Sequence, residues 1–300
     1  MRILLQFPEG LKRLALEEAG RLERKGNEVF ISSSPCFGAC DIALDEARAI
    51  RAKKIIHWGH SDFGVKAGIP VEYVEYPIPV DLKRVLPKVL LKLREFGRVG
   101  LVTTVQHIPQ LKDLRRELQK HGKTVLVSKG TRTKYPGQIL GCDVGAAKSI
   151  DDRVDCFLYL GGGFFHPLMD VESPVLKADP FSGEVKWMDD GIRQARRRRK
   201  GAMAALISAK NVGILISTKT GQKDIRCSLA VKRRLERTDK RCVLLVSNFV
   251  DFASLTNFGK LDCYVNTACP RLSDDYELAG KRIINYRDAM IVAKILEGKR

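Results

Sequence analysis

The feature that most constrains the fold of this chain is a strand–helix–strand pattern that occurs three times. Short apolar runs at residues 2–7, 99–104 and 212–218 each lead through a polar or glycine-containing turn into an amphipathic helix. Strands that alternate with helices of this length are typical of βαβ units and parallel sheets. The nearly continuous apolar character of the runs indicates strands that are buried on both faces.

The same order of elements continues through each copy. The predicted helices cover 11–25, 110–121 and 223–237, the strands after them cover 28–32, 124–128 and 242–247, and third strands cover 54–58, 156–160 and 261–265. We therefore predict an α/β protein of three similar domains, each a small parallel sheet flanked by helices. The predicted domain limits are 1–97, 98–209 and 210–300, with a linking helix at 190–210.

The charge of the chain favours acidic partners. The formal net charge is +18 in 300 residues, which attracts nucleic acid or acidic proteins. The run of five cations at 196–200 is expected to be a solvated helix face. Met1 leads directly into a predicted strand, with no signal-peptide pattern and no apolar run long enough for a membrane span. We expect a cytoplasmic protein without a membrane partner.

Three cysteines lie at the ends of predicted strands, one in each domain. Of the eight in the chain, Cys40 and Cys142 follow second strands and open predicted helices, whereas Cys269 follows a third strand, so the three places are not strictly equivalent. Ligands of open α/β sheets gather at the carboxyl ends of the strands, so these thiolates can meet if the domains face a common centre. Soft thiolates select zinc, copper(I) or iron–sulfur clusters. From spacing alone, a shared metal site and three unrelated thiols stay equally open.

The remaining cysteines are expected to pack as small core residues, because disulfides are unexpected in a reducing compartment. Cys156, Cys227, Cys242 and Cys263 lie in predicted strands or on a helix. Cys36 forms a CxxxC pair with Cys40, a spacing that also occurs in local metal sites, but core packing is the preferred interpretation.

The segments around the strand-end cysteines carry a family resemblance. They are Pro-Cys-Phe-Gly-Ala-Cys-Asp at 35–41, Pro-Gly-Gln-Ile-Leu-Gly-Cys-Asp at 136–143 and Val-Asn-Thr-Ala-Cys-Pro-Arg-Leu at 265–272. Together with Thr-Thr-Val-Gln-His at 103–107 and Tyr-Leu-Gly-Gly-Gly at 159–163, they resemble the archaeal diphthamide synthase family. Its members are 2-(3-amino-3-carboxypropyl)histidine synthases, and the resemblance covers essentially the whole chain.

The resemblance implies a specific activity and cofactor. It implies that Cys40, Cys142 and Cys269 hold a [4Fe–4S] cluster with one open iron, around which three similar domains meet. It implies cleavage of the Cγ–S bond of the substrate S-adenosylmethionine. The 3-amino-3-carboxypropyl radical then adds to a histidine of translation elongation factor 2, the first step of diphthamide biosynthesis. It also implies a homodimer and an electron donor that the sequence does not identify.

Other residues at strand ends are candidates for contact with S-adenosylmethionine. They are Gln106, His107, Gly161, Gly162, Gly163 and Gln222. Glycine permits close approach of the backbone to a ligand, and the alternative for all six is a structural role in turns or helix entry. His57 and His60 are ambiguous in the same way, whereas His166 is expected to be structural. Asp274 and Asp275 are expected to cap a helix.

Two other functions stay open from the residues alone. A basic nucleic-acid-binding protein with a structural zinc accounts for the charge. The chain lacks zinc-finger spacing and aromatic-rich RNA motifs, so no stable nucleic-acid partner is expected. The other function is a sugar- or nucleotide-binding module with inert cysteines, although the sequence contains no P-loop and no GxGxxG dinucleotide fingerprint.

Overall fold

The computed structural model describes residues 1–274 and 280–298. The chain divides into two compact units, Met1–Ile192 and Arg193–Arg300. Within the described residues, the first unit contains two β-sheets and the second contains one. Every helix in these same residues is too short or too polar to cross a lipid bilayer.

The first sheet is covered by helices on both faces. Its elements are β1 (Arg2–Gln6), α1 (Ala15–Glu23), β2 (Glu28–Ile31), α2 (Leu44–Ala49), β3 (Lys54–Trp58) and β4 (Val71–Val74). The four strands are parallel and lie in the order β2-β1-β3-β4. Ile3 and Leu5 on one face of β1 pack against α1, and Leu4 on the other face packs against α2. This two-sided burial explains why the strand is apolar along most of its length.

The second sheet completes the first unit. Its elements are α3 (Leu86–Lys92), β5 (Arg98–Thr103), α4 (Ile108–Lys120), β6 (Thr124–Leu126), α5 (Gly145–Lys148), β7 (Cys156–Leu160), β8 (Val175–Ala178) and β9 (Val185–Trp187). The order is β6-β5-β7-β8-β9, with β8 and β9 antiparallel and the other pairs parallel. Val89 of α3 and Leu114 of α4 pack with Leu158 on one face. Ala146 of α5 packs with Phe157 on the other.

The third sheet lies in the second unit. The elements from the end of the first unit onward are α6 (Asp189–Ser208), β10 (Asn211–Ser217), α7 (Ile225–Glu236), β11 (Arg241–Ser247), α8 (Phe252–Thr256), β12 (Cys263–Asn266), β13 (Ile283–Asn285) and α9 (Tyr286–Glu297). The strands are parallel in the order β11-β10-β12-β13. Val231 of α7 and Val292 of α9 pack with Ile214 on one face, and Leu255 of α8 packs with Tyr264 on the other.

The three sheets share one strand order. In each sheet, the strand that begins the sequence repeat lies between the second and third strands, and a fourth strand follows the third. The predicted α/β fold with three small, mainly parallel sheets flanked by helices is therefore confirmed. The fourth strands β4, β8 and β13 and the antiparallel β9 were missed by the sequence pattern. The domain limits 1–97, 98–209 and 210–300 stay predictions.

The turns that carry two of the strand-end cysteines differ from the prediction. Cys40 and Cys142 were each expected to open a helix. Instead, α2 begins at Leu44 and α5 begins at Gly145, so both cysteines lie in turns before the helix. The physical reason is that side-chain hydrogen bonds at each sheet edge stabilise a turn in place of the first helical residues.

Candidate metal centre

The cysteines fall into two groups by exposure. Cys36, Cys156, Cys242 and Cys263 are buried, whereas Cys40, Cys142, Cys227 and Cys269 are partly or fully exposed. Burial raises the pKa of three of the buried thiols, to about 12 for Cys156, about 11 for Cys242 and about 12 for Cys263. These three thiols stay neutral at pH 7, and their predicted role in the core is confirmed.

Cys227 was expected in the core, and that expectation is wrong. The residue lies half-buried in the first turn of α7, which Asp224 caps by accepting a hydrogen bond from the Cys227 backbone N–H at 2.9 Å. Burial, and then a hydrogen bond to Asp224, raise the pKa of the Cys227 thiol. A raised pKa disfavours the thiolate that a metal requires. The better candidates for metal ligands among the exposed thiols are therefore Cys40, Cys142 and Cys269.

Cys40 lies in a folded loop at the carboxyl edge of the first sheet. The loop covers residues 32–43 between β2 and α2. The backbone N–H of Asp41 donates to the carbonyl of Gly38 at 2.9 Å, and the carboxylate of Asp41 accepts from the N–H of Phe37 at 3.3 Å. A Cβ atom at Gly38 would lie 3.6 Å from the sulfur of Cys40. Glycine at this position therefore keeps the space beside the thiol open.

The buried amide of Gln6 ties the Cys40 loop to the sheet. Gln6 is the last residue of β1 and is 2% exposed. Its Nε2 donates to the carbonyl of Asp41 at 2.6 Å, and its Oε1 accepts from the N–H of Ala43 at 3.1 Å. The same Oε1 lies 2.9 Å from Nδ1 of His57 on β3. One side chain thus fixes the Cys40 loop to the ends of two adjacent strands.

Cys142 lies in a tight turn before α5. Leu140 and Asp143, on either side of the turn, exchange backbone hydrogen bonds of 2.8 and 3.2 Å. The carboxylate of Asp143 accepts from the backbone N–H groups of Gly145 and Arg132, each at 2.7 Å. The turn is held from both sides, and the side chain of Cys142 is left exposed.

The residue before Cys142 packs closely against an aromatic ring, and a side chain there requires that ring to move. A Cβ atom at Gly141 would lie 1.9 Å from Cζ of Phe165. Phe165 belongs to the segment after β7 that begins with the predicted pocket glycines at 161–163. Gly161 has φ of 148° and Gly163 has φ of 73°, both in the region that favours glycine. The glycine-rich segment after β7 therefore leads directly into the residue that packs beside the Cys142 turn.

The carboxyl edges of the two sheets in the first unit are hydrogen-bonded to each other. Gln106, after β5, donates from Nε2 to the carbonyl of Gly59, after β3, at 2.9 Å. Gln138, four residues before Cys142, is 1% exposed and donates to the hydroxyl of Ser61 at 2.8 Å. The sheet edges that present Cys40 and Cys142 are therefore joined. Gln106 forms part of that joint, and its contact with S-adenosylmethionine stays a prediction.

His107 and Gly162 border the same aromatic ring at the end of the second sheet. His107 is 3% exposed, and its ring centroid lies 5.5 Å from that of Phe181. A Cβ atom at Gly162 would lie 3.7 Å from Phe181. Burial lowers the pKa of His107, and its Nδ1 makes no hydrogen bond to the described residues. That nitrogen is enclosed by protein, so a polar ligand reaches it only when the surrounding side chains move.

Cys269 lies at the corresponding edge of the sheet in the second unit. Asn266, the last residue of β12, is 2% exposed. Its Nδ2 donates to the carbonyl of Cys269 at 2.7 Å and to Oδ1 of Asn285 at 2.8 Å, and its Oδ1 accepts from the N–H of Ala268 at 2.9 Å. A strand-end amide thus holds this cysteine turn, as Gln6 does in the first sheet. Gln222 is half-buried in the turn between β10 and α7.

The other polar candidates have varied positions. His166 stacks on Tyr159 with ring centroids 6.5 Å apart, as expected of a structural histidine. Asp274 follows a 3₁₀ turn, Pro270–Ser273, and the next residues lie outside the described part of the chain, so its role as a helix cap stays a prediction. Asp275 lies outside the described residues.

Three residues that hold the cysteine turns were missed by sequence reasoning. They are Gln6, Asp143 and Asn266. Gln6 and Asn266 each end an otherwise apolar strand with an amide, a signal that the sequence does contain. The role of Asp143 is less visible, because one of its donors, Arg132, lies 11 residues earlier in a loop.

Comparison with known proteins identifies the family. The model of the diphthamide synthesis protein family matches residues 7–296. The chain belongs to this family. A curated member, 2-(3-amino-3-carboxypropyl)histidine synthase of Pyrococcus horikoshii, is 33% identical over 302 residues, which cover 99% of this chain and 86% of that protein.

Other members of the family extend the comparison. Subunit 1 of the human 2-(3-amino-3-carboxypropyl)histidine synthase is 27% identical, and the match covers 93% of this chain and 64% of the human subunit. A crystal structure of Dph2 from Pyrococcus horikoshii with a 4Fe-4S cluster has a TM-score of 0.90 at 32% identity, covering 98% of this chain and 86% of that one. The fold is therefore that of the diphthamide synthesis family along nearly the whole chain.

Proposed function

We propose that this protein is a 2-(3-amino-3-carboxypropyl)histidine synthase that holds a [4Fe–4S] cluster through Cys40, Cys142 and Cys269. It transfers the 3-amino-3-carboxypropyl group of S-adenosylmethionine to a histidine of translation elongation factor 2, the first step of diphthamide biosynthesis. The observation that carries the proposal is the placement of one exposed or half-exposed cysteine turn at the carboxyl edge of each sheet. The family relative solved with a 4Fe-4S cluster supports it.

The donor set fits such a cluster. Thiolates are the usual ligands of iron–sulfur clusters, and three of them leave one iron free for a substrate. When bound, the cluster supplies the electron that cleaves the Cγ–S bond, and its open iron holds the amino-acid end of S-adenosylmethionine. The convergence of the three turns on one cluster is part of this proposal.

Residues of the chain hold the backbone of the three cysteine turns in place. Gln6, Asp143 and Asn266 each satisfy backbone groups of one cysteine turn. A buried backbone group without a hydrogen-bond partner costs about 1–3 kcal/mol. Movement of a cysteine turn away from these side chains is therefore unfavourable by a similar free energy. Ligands that are already in place reduce the ordering cost when a cluster binds.

We assign the binding of S-adenosylmethionine to the ends of β5, β7 and β10. His107 and Gly162 border the ring of Phe181, and Gly161 and Gly163 flank Gly162 in the turn after β7. Gln222 extends the site from the turn after β10. Gln106 acts through its hydrogen bond to the first sheet and so positions the edge.

The partners follow from the proposed reaction and from charge. Elongation factor 2 is the protein substrate, and the net charge of +18 favours an acidic docking surface on it. A homodimer, a separate electron donor and a cytoplasmic location complete the proposal. A nucleic-acid-binding protein with a structural zinc is not favoured, because the family match extends over residues 7–296.

Electron paramagnetic resonance of the anaerobic protein tests the proposal. The protein is reduced with dithionite, and spectra are recorded with and without S-adenosylmethionine. We expect a reduced [4Fe–4S] signal that changes when S-adenosylmethionine binds, and formation of methylthioadenosine and modified elongation factor 2. Single changes Cys40→Ala, Cys142→Ala and Cys269→Ala each abolish the product.

Cys227→Ala is the matched control, since Cys227 is also half-exposed but lies on a helix. This variant is expected to keep the iron content and the spectrum of the wild type. Wild-type protein that binds no iron after reconstitution contradicts the proposal. So does a cluster that survives all three cysteine changes together.

A further inference from the structure

A second group of metal-binding atoms lies in the first sheet, built from residues other than the three proposed cluster ligands. Cys36 lies in the Cys40 loop, and His57 and His60 lie at the end of β3. The sulfur and one ring nitrogen from each histidine all lie within 4.8 Å of one another. Cys36 is 4% exposed and His57 is 0% exposed, so most of the group is shielded from water.

The hydrogen bonds of Gln6 determine which nitrogen of His57 faces the group. Gln6 Nε2 donates to a carbonyl, and its Oε1 accepts from a backbone N–H, so the Oε1 atom must act as an acceptor toward His57. Nδ1 of His57, 2.9 Å away, therefore carries the proton. Nε2 of His57 is left with a lone pair and lies 3.0 Å from Nδ1 of His60.

An oxygen that accepts the second ring N–H is the usual outer partner of a metal-bound histidine. Burial lowers the pKa of His57 to about 3 and that of His60 to about 4, so both rings are neutral at pH 7. Neutral imidazole is the form that binds metal, because the bond uses the nitrogen lone pair. His57 thus has the tautomer, the charge state and the outer partner of a metal ligand, whereas neutral His60 must shift its proton from Nδ1 to Nε2 to bind through Nδ1.

The distances also fit. In a tetrahedral zinc site with bonds of about 2.3 Å to sulfur and about 2.0–2.1 Å to nitrogen, the ligand atoms are about 3.3–3.6 Å apart. The two nitrogens at 3.0 Å need to separate by a few tenths of an ångström. The sulfur, within 4.8 Å of both, needs to approach by at most about 1.5 Å. Side-chain rotation covers such movements without a change of fold.

We propose that Cys36, His57 and His60 bind one zinc ion, with water in the fourth position. Binding removes the thiol proton of Cys36 to solvent and breaks the hydrogen bond between the two histidines. His60 then carries its proton on Nε2, and its Nδ1 binds the metal. No electron is transferred. The ion has a structural role that goes beyond the proposed reaction: it clamps the start of the Cys40 loop to the end of β3.

The test separates zinc from iron by removing the cluster ligands. The full-length variant Cys40→Ala/Cys142→Ala/Cys269→Ala is freed of metal with a chelator and titrated with Co²⁺, a spectroscopic substitute for zinc. We expect one equivalent to bind, with thiolate-to-cobalt charge-transfer absorption and the intense visible bands of a tetrahedral site. Zinc displaces the cobalt, and one proton is released for each metal bound.

Further changes in that background identify the ligands. Cys36→Ser removes the charge-transfer band, and His60→Gln weakens cobalt binding. Gln6→Leu, which removes the outer partner of His57, lowers zinc affinity by about 10–100-fold. The matched controls are Cys227→Ser and His121→Gln, a half-exposed cysteine and an exposed histidine outside the group, and both keep the spectrum.

The test does not depend on the further variants folding well. The charge-transfer band is first measured in the triple cysteine variant, in which Cys36, His57 and His60 are unchanged. Absence of that band in excess Co²⁺, or its survival after Cys36→Ser, overturns the proposal and leaves the group as a hydrogen-bonded core. Zinc and iron are also counted separately in anaerobic wild-type protein. Zinc without iron would contradict the cluster alone, and iron with no zinc would contradict this site alone.

Discussion

Replacement of Gln6 by leucine tests how strongly the Cys40 loop depends on one buried amide. Leucine has a similar volume, so little cavity is created, but all three hydrogen bonds of the amide are lost. The carbonyl of Asp41, the N–H of Ala43 and the Nδ1–H of His57 lose this partner. At about 1–1.7 kcal/mol for each of the three groups, the free energy of unfolding falls by about 3–5 kcal/mol.

Tryptophan fluorescence makes this loss measurable in the correct part of the chain. The sequence contains two tryptophans, and both Trp58 and Trp187 lie in the first unit. Trp58 follows His57 and stacks on Phe7 with ring centroids 5.2 Å apart. The fluorescence signal therefore reports unfolding of the first unit. Urea unfolding is followed in the presence of a chelator, so that neither a cluster nor zinc contributes to stability. With an m-value of about 2 kcal/mol per molar, the midpoint is expected to fall by about 1.5–2.5 M.

The control and a charged variant sharpen the result. Gln119→Leu changes an exposed glutamine on α4 and is expected to alter stability by less than about 0.5 kcal/mol. Gln6→Glu keeps the acceptor but buries a carboxylate against the carbonyl of Asp41, so at pH 7 its stability is expected to fall at least as far as that of Gln6→Leu. If Gln6→Leu shifts the midpoint no more than Gln119→Leu does, the loop is not held by this amide.

Two further predictions concern the thiols and the Cys142 turn. In native, metal-free protein, iodoacetamide is expected to modify the exposed strand-end thiols of Cys40, Cys142 and Cys269 first. The neutral core thiols of Cys156, Cys242 and Cys263 are expected to react much later, and peptide mass spectrometry checks the order. Equal rates for the two groups would reject this division. Gly141→Ala forces the ring of Phe165 to move, at a cost of about 1–3 kcal/mol. It is expected to lower iron retention after reconstitution, and unchanged iron and urea midpoint would show that the contact is unimportant.

The sequence predicted the fold as far as apolar periodicity extends. The first three strands of each sheet lie in largely apolar runs of the sequence, and β3 and β7 have the predicted bounds. The fourth strands were missed because they are short and of mixed character. In β8, for example, Lys177 is 1% exposed and is paired with Glu184 at 3.1 Å. No local pattern reveals a buried lysine whose charge is satisfied seven residues later.

The sequence predicted the candidate ligands of the site but not the hydrogen bonds that hold the cysteine turns. Cysteines after strands are visible, since the carboxyl edge of a parallel sheet is where ligands bind. The hydrogen bonds of Gln6 join residues that are 35, 37 and 51 positions apart, and such pairs follow only from the strand register. For the same reason, the sequence does not show that Cys36, His57 and His60 come together. Their meeting depends on how the Cys40 loop folds over the end of β3.

The parallel register of the sheets bears on when a cluster can be inserted. Even neighbouring strands pair residues far apart, as Arg2 does with Glu28, and the three cysteines leave the ribosome in succession. Cys269 follows Cys142 by 127 positions, which corresponds to about 6–25 s of synthesis at about 5–20 residues per second. During that interval the nascent chain already carries two of its proposed iron ligands and lacks the third. Iron delivered during this interval meets an incomplete site. We therefore expect the cluster to be inserted only after Cys269 has been synthesised.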